Sequence, residues 1–520
     1  MKVQMTLKQI FSITMLVFLG IETAFSQQVQ FLEVTNTAGV KMQTQSRWST
    51  RMAWGDFNSD GLLDVYVTSW GQASTGQGRN ALYQNMGSGI FANVASSKGL
   101  NLSENSSGAV WGDFDNDGDL DLFVANFYEG DMVFKNQLIE TGAANFTNVT
   151  TAMNFINESV GRSKAAVWGD YNNDGYLDLY VCKYYGKNAL YRNNGGTSFT
   201  LLSGPFSDVR DSEYAVWVDY DSDGDVDLYV VNREQENRLF RNDNGTLTPV
   251  FGALSNTQYG RFAAWADFDN NGLLDLFLGN IGANALYKQD PAGIFTEIAS
   301  SAGVKSAPNA WDTWGAAWGD YDADGDMDLF FVGGFDEVAP SGSFTGTLGN
   351  ILLENSGGTF TDKTIQASLS RGAKDFSTTP AGEVGSFASS AAFVDYDNDG
   401  DLDLMVTNTF QNLLYKNKLY EDNPTFANKC LKVRVQGKGA GYNNRSGFGA
   451  KVRVYNQSET VLYGMREIAS GPEPAIAYFA LPQSGTYTIQ VTFLKNGALP
   501  PQTISLINIT VPRDTVVIQP

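Results

Sequence analysis

The chain has 520 residues, 57 of them acidic and 35 basic, for a formal charge of -22, with two cysteines and no histidine. The lack of histidine excludes an imidazole base, a Ser-His-Asp triad and histidine-held zinc or copper, and two cysteines cannot build a disulfide framework. A negative field of this size disfavours nucleic acid and anionic membranes as partners.

The N-terminus carries Lys2 and Lys8, an apolar run from Ile10 to Ile21, and Ala24-Phe25-Ser26 before Gln27. This reads as a signal peptide over residues 1–26, too short to span a bilayer comfortably. The mature chain has no other run long enough for a transmembrane anchor, so export to the extracellular space, the cell surface or a periplasm is expected.

Phe31 to Val40 reads as a strand with no repeat of its own, similar to Phe91 to Leu100 and Phe295 to Val304. A unit then recurs seven times. A short apolar strand leads to a nine-residue loop of pattern DxDxDGxxD, starting at Asp56, Asp113, Asp170, Asp219, Asp267, Asp320 and Asp395. An aromatic residue stands two before each loop (Trp54, Trp111, Trp168, Trp217, Trp265, Trp318, Phe393) and another at loop position 2 (Phe57, Phe114, Tyr171, Tyr220, Phe268, Tyr321, Tyr396). The second strand, as in Leu179-Tyr180-Val181-Cys182, is continuously apolar, so both its faces should be buried and Cys182 should be a buried structural thiol. A third strand of the form Asn188 to Asn193 and a fourth such as Phe199 to Leu202 complete the unit.

Four strands in roughly 50 residues is the pattern of a propeller blade. Seven sets of strands one to three are followed by only six fourth strands, and the orphan at Phe31 supplies the seventh. The expected fold is all-β: a seven-bladed β-propeller over 27–428, closed by its N-terminal strand so that no edge stays unpaired. Insertions at Gly333 to Gly349 and Leu369 to Ser389 should lie on the face opposite the acidic loops. From residue 429 to 520 the pattern changes to Val, Ile and Thr alternating with polar residues, which predicts a small antiparallel, sandwich-like β domain.

The acidic loops suit a hard divalent cation. Ca2+ takes six to eight oxygens, and loop positions 1, 3, 5 and 9 offer side chains while position 7 offers its carbonyl. The expected ligands are Asp56, Asn58, Asp60, Leu62 and Asp64; Asp113, Asp115, Asp117, Asp119 and Asp121; Asp170, Asn172, Asp174, Tyr176 and Asp178; and Asp219, Asp221, Asp223, Asp225 and Asp227. The last three sets are Asp267, Asp269, Asn271, Leu273 and Asp275; Asp320, Asp322, Asp324, Asp326 and Asp328; and Asp395, Asp397, Asp399, Asp401 and Asp403, for up to seven ions. An EF-hand is excluded, because position 12 holds no Glu and the flanks are strands. Side chains at positions 1, 3, 5 and 9 account for 25 of the 57 acidic residues, leaving 32 against 35 basic ones, so the acidity is concentrated in the loops.

Loop, preceding Trp and following apolar strand recur together, and in this they resemble the FG-GAP or VCBS repeats of integrin-α-like propellers. Asn444-Arg445-Ser446-Gly447-Phe448-Gly449-Ala450-Lys451-Val452 is similar to the Asn-Arg-x-x-x-Gly-Ala-x-Val signature of the ASPIC/UnbV domain. The whole chain thus resembles the cartilage acidic protein group. The resemblance implies Ca2+ loops on one face and partners on the other face or the rim. The leading expectation is a secreted binding or adhesion module for protein or carbohydrate, with Trp70, Tyr184, Tyr185, Arg233, Trp311, Trp314 and Phe335 as candidate contacts. The alternatives are a polysaccharide-acting, lyase-like enzyme, for which no catalytic pair is named, and a structural spacer.

Overall fold

The computed structural model describes residues 29–41, 48–70, 79–155, 162–255, 259–291, 293–304, 312–334, 350–369, 388–408, 412–423, 429–495, 500–511 and 513–519. The expected signal peptide, Trp311, Phe335 and most of both insertions lie outside them. No helix among the described residues is long and apolar enough to cross a membrane.

Seven antiparallel sheets of four strands account for most of the chain. In chain order their first strands are Trp48–Gly55, Ser106–Gly112, Ser163–Gly169, Ser212–Val218, Gly260–Ala266, Asp312–Gly319 and Ala388–Val394. Each first strand packs on that of the next sheet, and Ala388–Val394 packs on Trp48–Gly55. The second strands Asp121–Asn126, Asp178–Lys183, Asp227–Asn232, Asp275–Asn280 and Asp403–Asn408 are buried along their whole length, as their unbroken apolar pattern requires. Cys182 is fully buried among them.

Phe31–Glu33 pairs with Leu413–Asn417, Phe31 opposite Asn417, and so completes the seventh sheet. The stretch read as a strand to Val40 is shorter than expected. After Glu33 the chain forms a helical turn, Thr35–Ala38, ended by Gly39 at φ +81°. Thr35 is fully buried there, and its hydroxyl accepts the Leu414 N–H at 3.0 Å.

The aromatic residues of each unit join neighbouring sheets. The position 2 ring of one sheet stacks on the pre-loop Trp of the next: Phe57 on Trp111, Phe114 on Trp168, Tyr171 on Trp217 and Phe268 on Trp318, with centroids 6.2 to 6.3 Å apart. Gly112 stands where any side chain would meet that indole, since a Cβ there would lie 2.7 Å from Trp168 Cδ1.

A second join runs through polar side chains. Asn136, at the end of a third strand, donates its side-chain N–H to the Phe57 carbonyl of the preceding sheet at 2.9 Å. Asn193, Asn242, Gln289, Asn355 and Asn417 repeat the bond to Phe114, Tyr171, Tyr220, Phe268 and Tyr321, at 2.7 to 3.0 Å. Asn85 makes it to Tyr396, linking the first sheet to the seventh.

The described residues from 430 to 518 form two sheets. Lys451–Asn456 lies between Leu462–Glu467 and Thr486–Phe493, with Gln502–Thr510 at the edge, all antiparallel. The other sheet departs from the antiparallel expectation, because Cys430–Gln436 runs antiparallel to Ile476–Ala480 but parallel to Arg513–Ile518. Alternation still sets the faces. Leu431 and Val433, with Val452 and Val454, enter a buried cluster, whereas the adjacent Lys432 and Lys451 turn toward the acidic loops.

Candidate metal centres

Each loop is curled by two left-handed residues. Position 4 (Ser59, Asn116, Asn173, Ser222, Asn270, Ala323, Asn398) has φ between 56° and 60°, and the glycine at position 6 has φ between 86° and 108°. A bulky side chain at position 6 would be strained, which is why the motif requires glycine there.

Backbone donors then orient the carboxylates. In the second loop Asp113 Oδ1 accepts the Asp117 N–H at 3.1 Å and Oδ2 the Gly118 N–H at 3.0 Å. Asp117 accepts the Asp119 N–H at 3.1 Å. Asp121 is bound from both sides, by the Phe114 N–H at 3.2 Å and by the Asn136 N–H at 2.9 Å. That last bond recurs in every loop: Asp64, Asp178, Asp227, Asp275, Asp328 and Asp403 accept the N–H of Asn85, Asn193, Asn242, Gln289, Asn355 and Asn417. The same Asn or Gln therefore positions a loop carboxylate and joins two sheets.

Positions 1, 3 and 9 bring their oxygens within 4.8 Å of one another at Asp113, Asp115 and Asp121, at Asp219, Asp221 and Asp227, at Asp267, Asp269 and Asp275, and at Asp320, Asp322 and Asp328. Burial, followed by repulsion from neighbouring carboxylates, pushes Asp113 and Asp322 up to about 7. Burial also pushes Asp64 and Asp275 up to about 8, and Asp121 and Asp403 well above the usual carboxylate range. Asp219 Oδ1, Asp322 Oδ1 and Asp395 Oδ1 are buried with no hydrogen-bond donor. Crowded, partly orphaned oxygens on a hard donor set fit a divalent cation such as Ca2+, and several of these clusters could hold one.

The C-terminal strands lie over these loops, a placement the sequence reading did not anticipate. Lys451 Nζ stands 3.0 Å from Asp219 Oδ2, Lys495 Nζ 2.9 Å from Asp225 Oδ2, and Lys432 Nζ bonds Asp395 Oδ2. Arg445 Nε is 3.7 Å from Asp113 Oδ2, and the Gly441 N–H donates to the Asp174 carbonyl at 3.0 Å. The segment after Glu467 reaches the inner strands, where Ser470 Oγ accepts the Trp168 N–H and the Pro472 carbonyl that of Trp54, at 3.1 and 3.2 Å. Beside it a cavity of about 170 Å3 is lined by Tyr214, Phe262, Trp318, Arg466 and Glu473. The available signal was five basic residues, Lys432, Arg445, Lys451, Arg466 and Lys495, in the tail of a chain whose loops are acidic.

At the other end of the sheets, the structure gathers Trp70, Tyr184, Tyr185 and Arg233. Trp70 meets Phe127 at 4.6 Å with the rings tilted by 35°, Phe127 meets Tyr184 at 5.5 Å, and Tyr184 meets Tyr185 at 4.5 Å. Lys164 Nζ lies 4.9 Å over the Tyr184 ring, and Arg233 Nη1 is 3.5 Å from the Tyr184 hydroxyl. Trp314 stands apart, under the guanidinium of Arg261 at 4.2 Å. Arg261 pairs with Glu213 and Asp312, each at 2.7 Å. Phe127, Tyr128 and Lys164 belong to this patch and were missed, because nothing in their local pattern sets them apart from core residues.

Residues 56–124, 170–230, 219–278 and 267–331 match the FG-GAP-like repeat. The chain carries FG-GAP-like repeats on a β-propeller fold. Among solved structures it is similar to an Agrocybe aegerita lectin described as recognising non-reducing terminal N-acetylglucosamine (15% identity, 69% of this chain and 88% of that one, TM-score 0.40). It is also similar to YCF48 bound to D1 peptide (10% identity, 72% and 93%, TM-score 0.42) and to BBS1N in complex with ARL6DN (10% identity, 72% and 94%, TM-score 0.42). No curated protein matches it.

Proposed function

We propose that this FG-GAP-repeat protein is an exported, Ca2+-stabilised binding or adhesion module. In this reading residues 1–26 are a signal peptide, 27–428 a closed seven-bladed propeller, and 429–520 a sandwich-like domain of ASPIC/UnbV type. Up to seven Ca2+ ions sit in the acidic loops as structural staples. The cyclic order of the seven sheets and the Asn85 to Tyr396 bond support the closed ring.

The binding surface is the end opposite the loops, since the loop end is covered by the chain's own C-terminal strands. The observation that carries this is the patch of Trp70, Phe127, Tyr128, Tyr184 and Tyr185 beside Lys164 and Arg233. Tyr128 and Tyr185 are 58% and 51% exposed there, far more than rings in a core. Flat rings beside cations suit sugar rings bearing acidic groups, or an acidic protein surface. A glycan array and a pull-down from extracellular material test it. The native protein should retain a ligand that the Trp70→Ala, Tyr185→Ala variant loses while keeping its melting temperature. Equal retention by both proteins would refute the placement.

A further inference from the structure

Five loops hold their first carboxylate in one way and two in another. At Asp56, Asp113, Asp170, Asp267 and Asp320, Oδ1 accepts the position 5 N–H and Oδ2 the position 6 N–H, at 2.9 to 3.1 Å. At Asp219 and Asp395, Oδ1 is buried with no donor. There the position 5 N–H, from Asp223 or Asp399, reaches only the position 3 carboxylate, at 3.3 and 3.4 Å, although Gly400 still donates to Asp395 Oδ2 at 3.0 Å.

These are the two loops in which a lysine of the C-terminal strands sits on the first carboxylate. Lys451 lies 3.0 Å from Asp219 Oδ2 and 2.6 Å from the Asp219 carbonyl, and Lys432 bonds Asp395 Oδ2. Both ammoniums are also held by position 4 of the same loop, Lys451 by Ser222 Oγ at 2.9 Å and Lys432 by Asn398 Oδ1 at 3.2 Å. Lys451 and Lys432 are only 3% and 8% exposed, so these are built contacts rather than surface encounters. Arg445 supplies the contrast. It stays 3.7 Å from Asp113 Oδ2, with its side chain 35% exposed, and both backbone bonds to Asp113 are intact.

We propose that Lys451 and Lys432 make the Asp219 and Asp395 loops a separate, weaker class of Ca2+ site, set by the docked C-terminal domain. The inference rests on the Ca2+ reading above. An ammonium on one oxygen of a ligating carboxylate reduces what that group offers an ion and repels a dication a few ångströms away. Third-strand cations already lie on position 3 in loops of both kinds, Lys135 on Asp115 and Lys288 on Asp269 as well as Arg241 beside Asp221 and Lys416 on Asp397, so what separates the two loops is the added lysine on position 1. The other oxygen, Oδ1, accepts no hydrogen bond and keeps its lone pairs for an ion, so each site is weakened rather than abolished. By linkage, an ion entering either loop loosens the grip of Lys451 or Lys432 by the same factor that the docked lysine weakens the ion.

Calorimetric titration of the chelator-stripped full chain with CaCl2 tests this. The native protein should show two sites weaker than the rest. Lys451→Met with Lys432→Met should tighten both by about tenfold or more, whereas Lys451→Arg with Lys432→Arg should leave them weak. A single affinity class in the native protein, or weak sites that do not tighten in the methionine variant, overturns this inference alone. Absence of Ca2+ binding altogether overturns the Ca2+ reading with it. If circular dichroism shows the double variant unfolded, Lys432→Met alone must tighten one site and leave the other weak, and no tightening overturns the inference.

Discussion

The two ends of the sheets both carry buried acids that burial pushes up, yet Asp113 and Glu213 end on opposite sides of the ordinary carboxylate range. At the loop end, burial and neighbouring carboxylates push Asp113 up to about 7. At the other end burial also acts to raise Glu213, but Lys164 and Arg261, 3.4 and 2.7 Å away, outweigh it and hold the carboxyl down to about 2. The Glu213 carboxylate thus carries its own counter-ions. The loop end pairs some carboxylates with lysines, as Asp115 with Lys135 and Asp397 with Lys416, but leaves Asp219 Oδ1, Asp322 Oδ1 and Asp395 Oδ1 buried without a donor, a set that could take a cation from solution.

Removing that cation should have the largest effect. At free Ca2+ about tenfold above Kd each site contributes roughly 1.4 kcal/mol, so seven contribute on the order of 10 kcal/mol. Scanning calorimetry with excess chelator should show a steep fall in Tm, and an unchanged Tm in a sample proven ion-free would remove the contrast between the ends.

Glu213→Gln probes the other end. It leaves the guanidinium of Arg261 short of one partner in a site where Arg261 is 2% exposed, at a cost of about 3–5 kcal/mol. The cost should be the same with and without Ca2+. Because the folded pKa of Glu213 is depressed, its contribution is complete above the ordinary value of 4.5 and is lost as pH falls through about 2. The stability gap between native protein and variant should therefore narrow as denaturation is measured from pH 4.5 downward. A gap that widens would show that Glu213 is not held by its cations.

Asn136→Ala sits between these extremes. It leaves the buried Phe57 and Leu120 carbonyls without their donor and should cost about 1–3 kcal/mol by urea denaturation. The loss should be present in both Ca2+ states, since the join is between sheets. The smallest stability effect belongs to Tyr185→Ala, within about 0.5 kcal/mol for an exposed ring, and a larger loss would place Tyr185 in the core rather than on a binding surface.

Much of this was legible in the residues because it is written in local periodicity. The loop spelling, the aromatic residues two before and one after its first Asp, and the unbroken apolar second strands each require only near neighbours in the chain. So does the seventh fourth-strand, which counting alone assigned to Phe31; only its length was misread, since the inward bond to Thr35 depends on Leu414, 379 residues away. The Asn and Gln residues closing the third strands were visible as a repeat. Their role was not, because Asn136 acts on Phe57 in the preceding sheet.

The sequence by itself determined which groups could bind a hard cation and that four-stranded units recur seven times, because spacing sets which side chains curl inward together. Only the tertiary structure decided that the C-terminal strands cover the loop end, that Lys451 and Lys432 single out two of the seven loops, and that Trp70 meets Tyr184 through Phe127. Those contacts join residues hundreds of positions apart or in different sheets, where geometry, and not spacing along the chain, selects the partner.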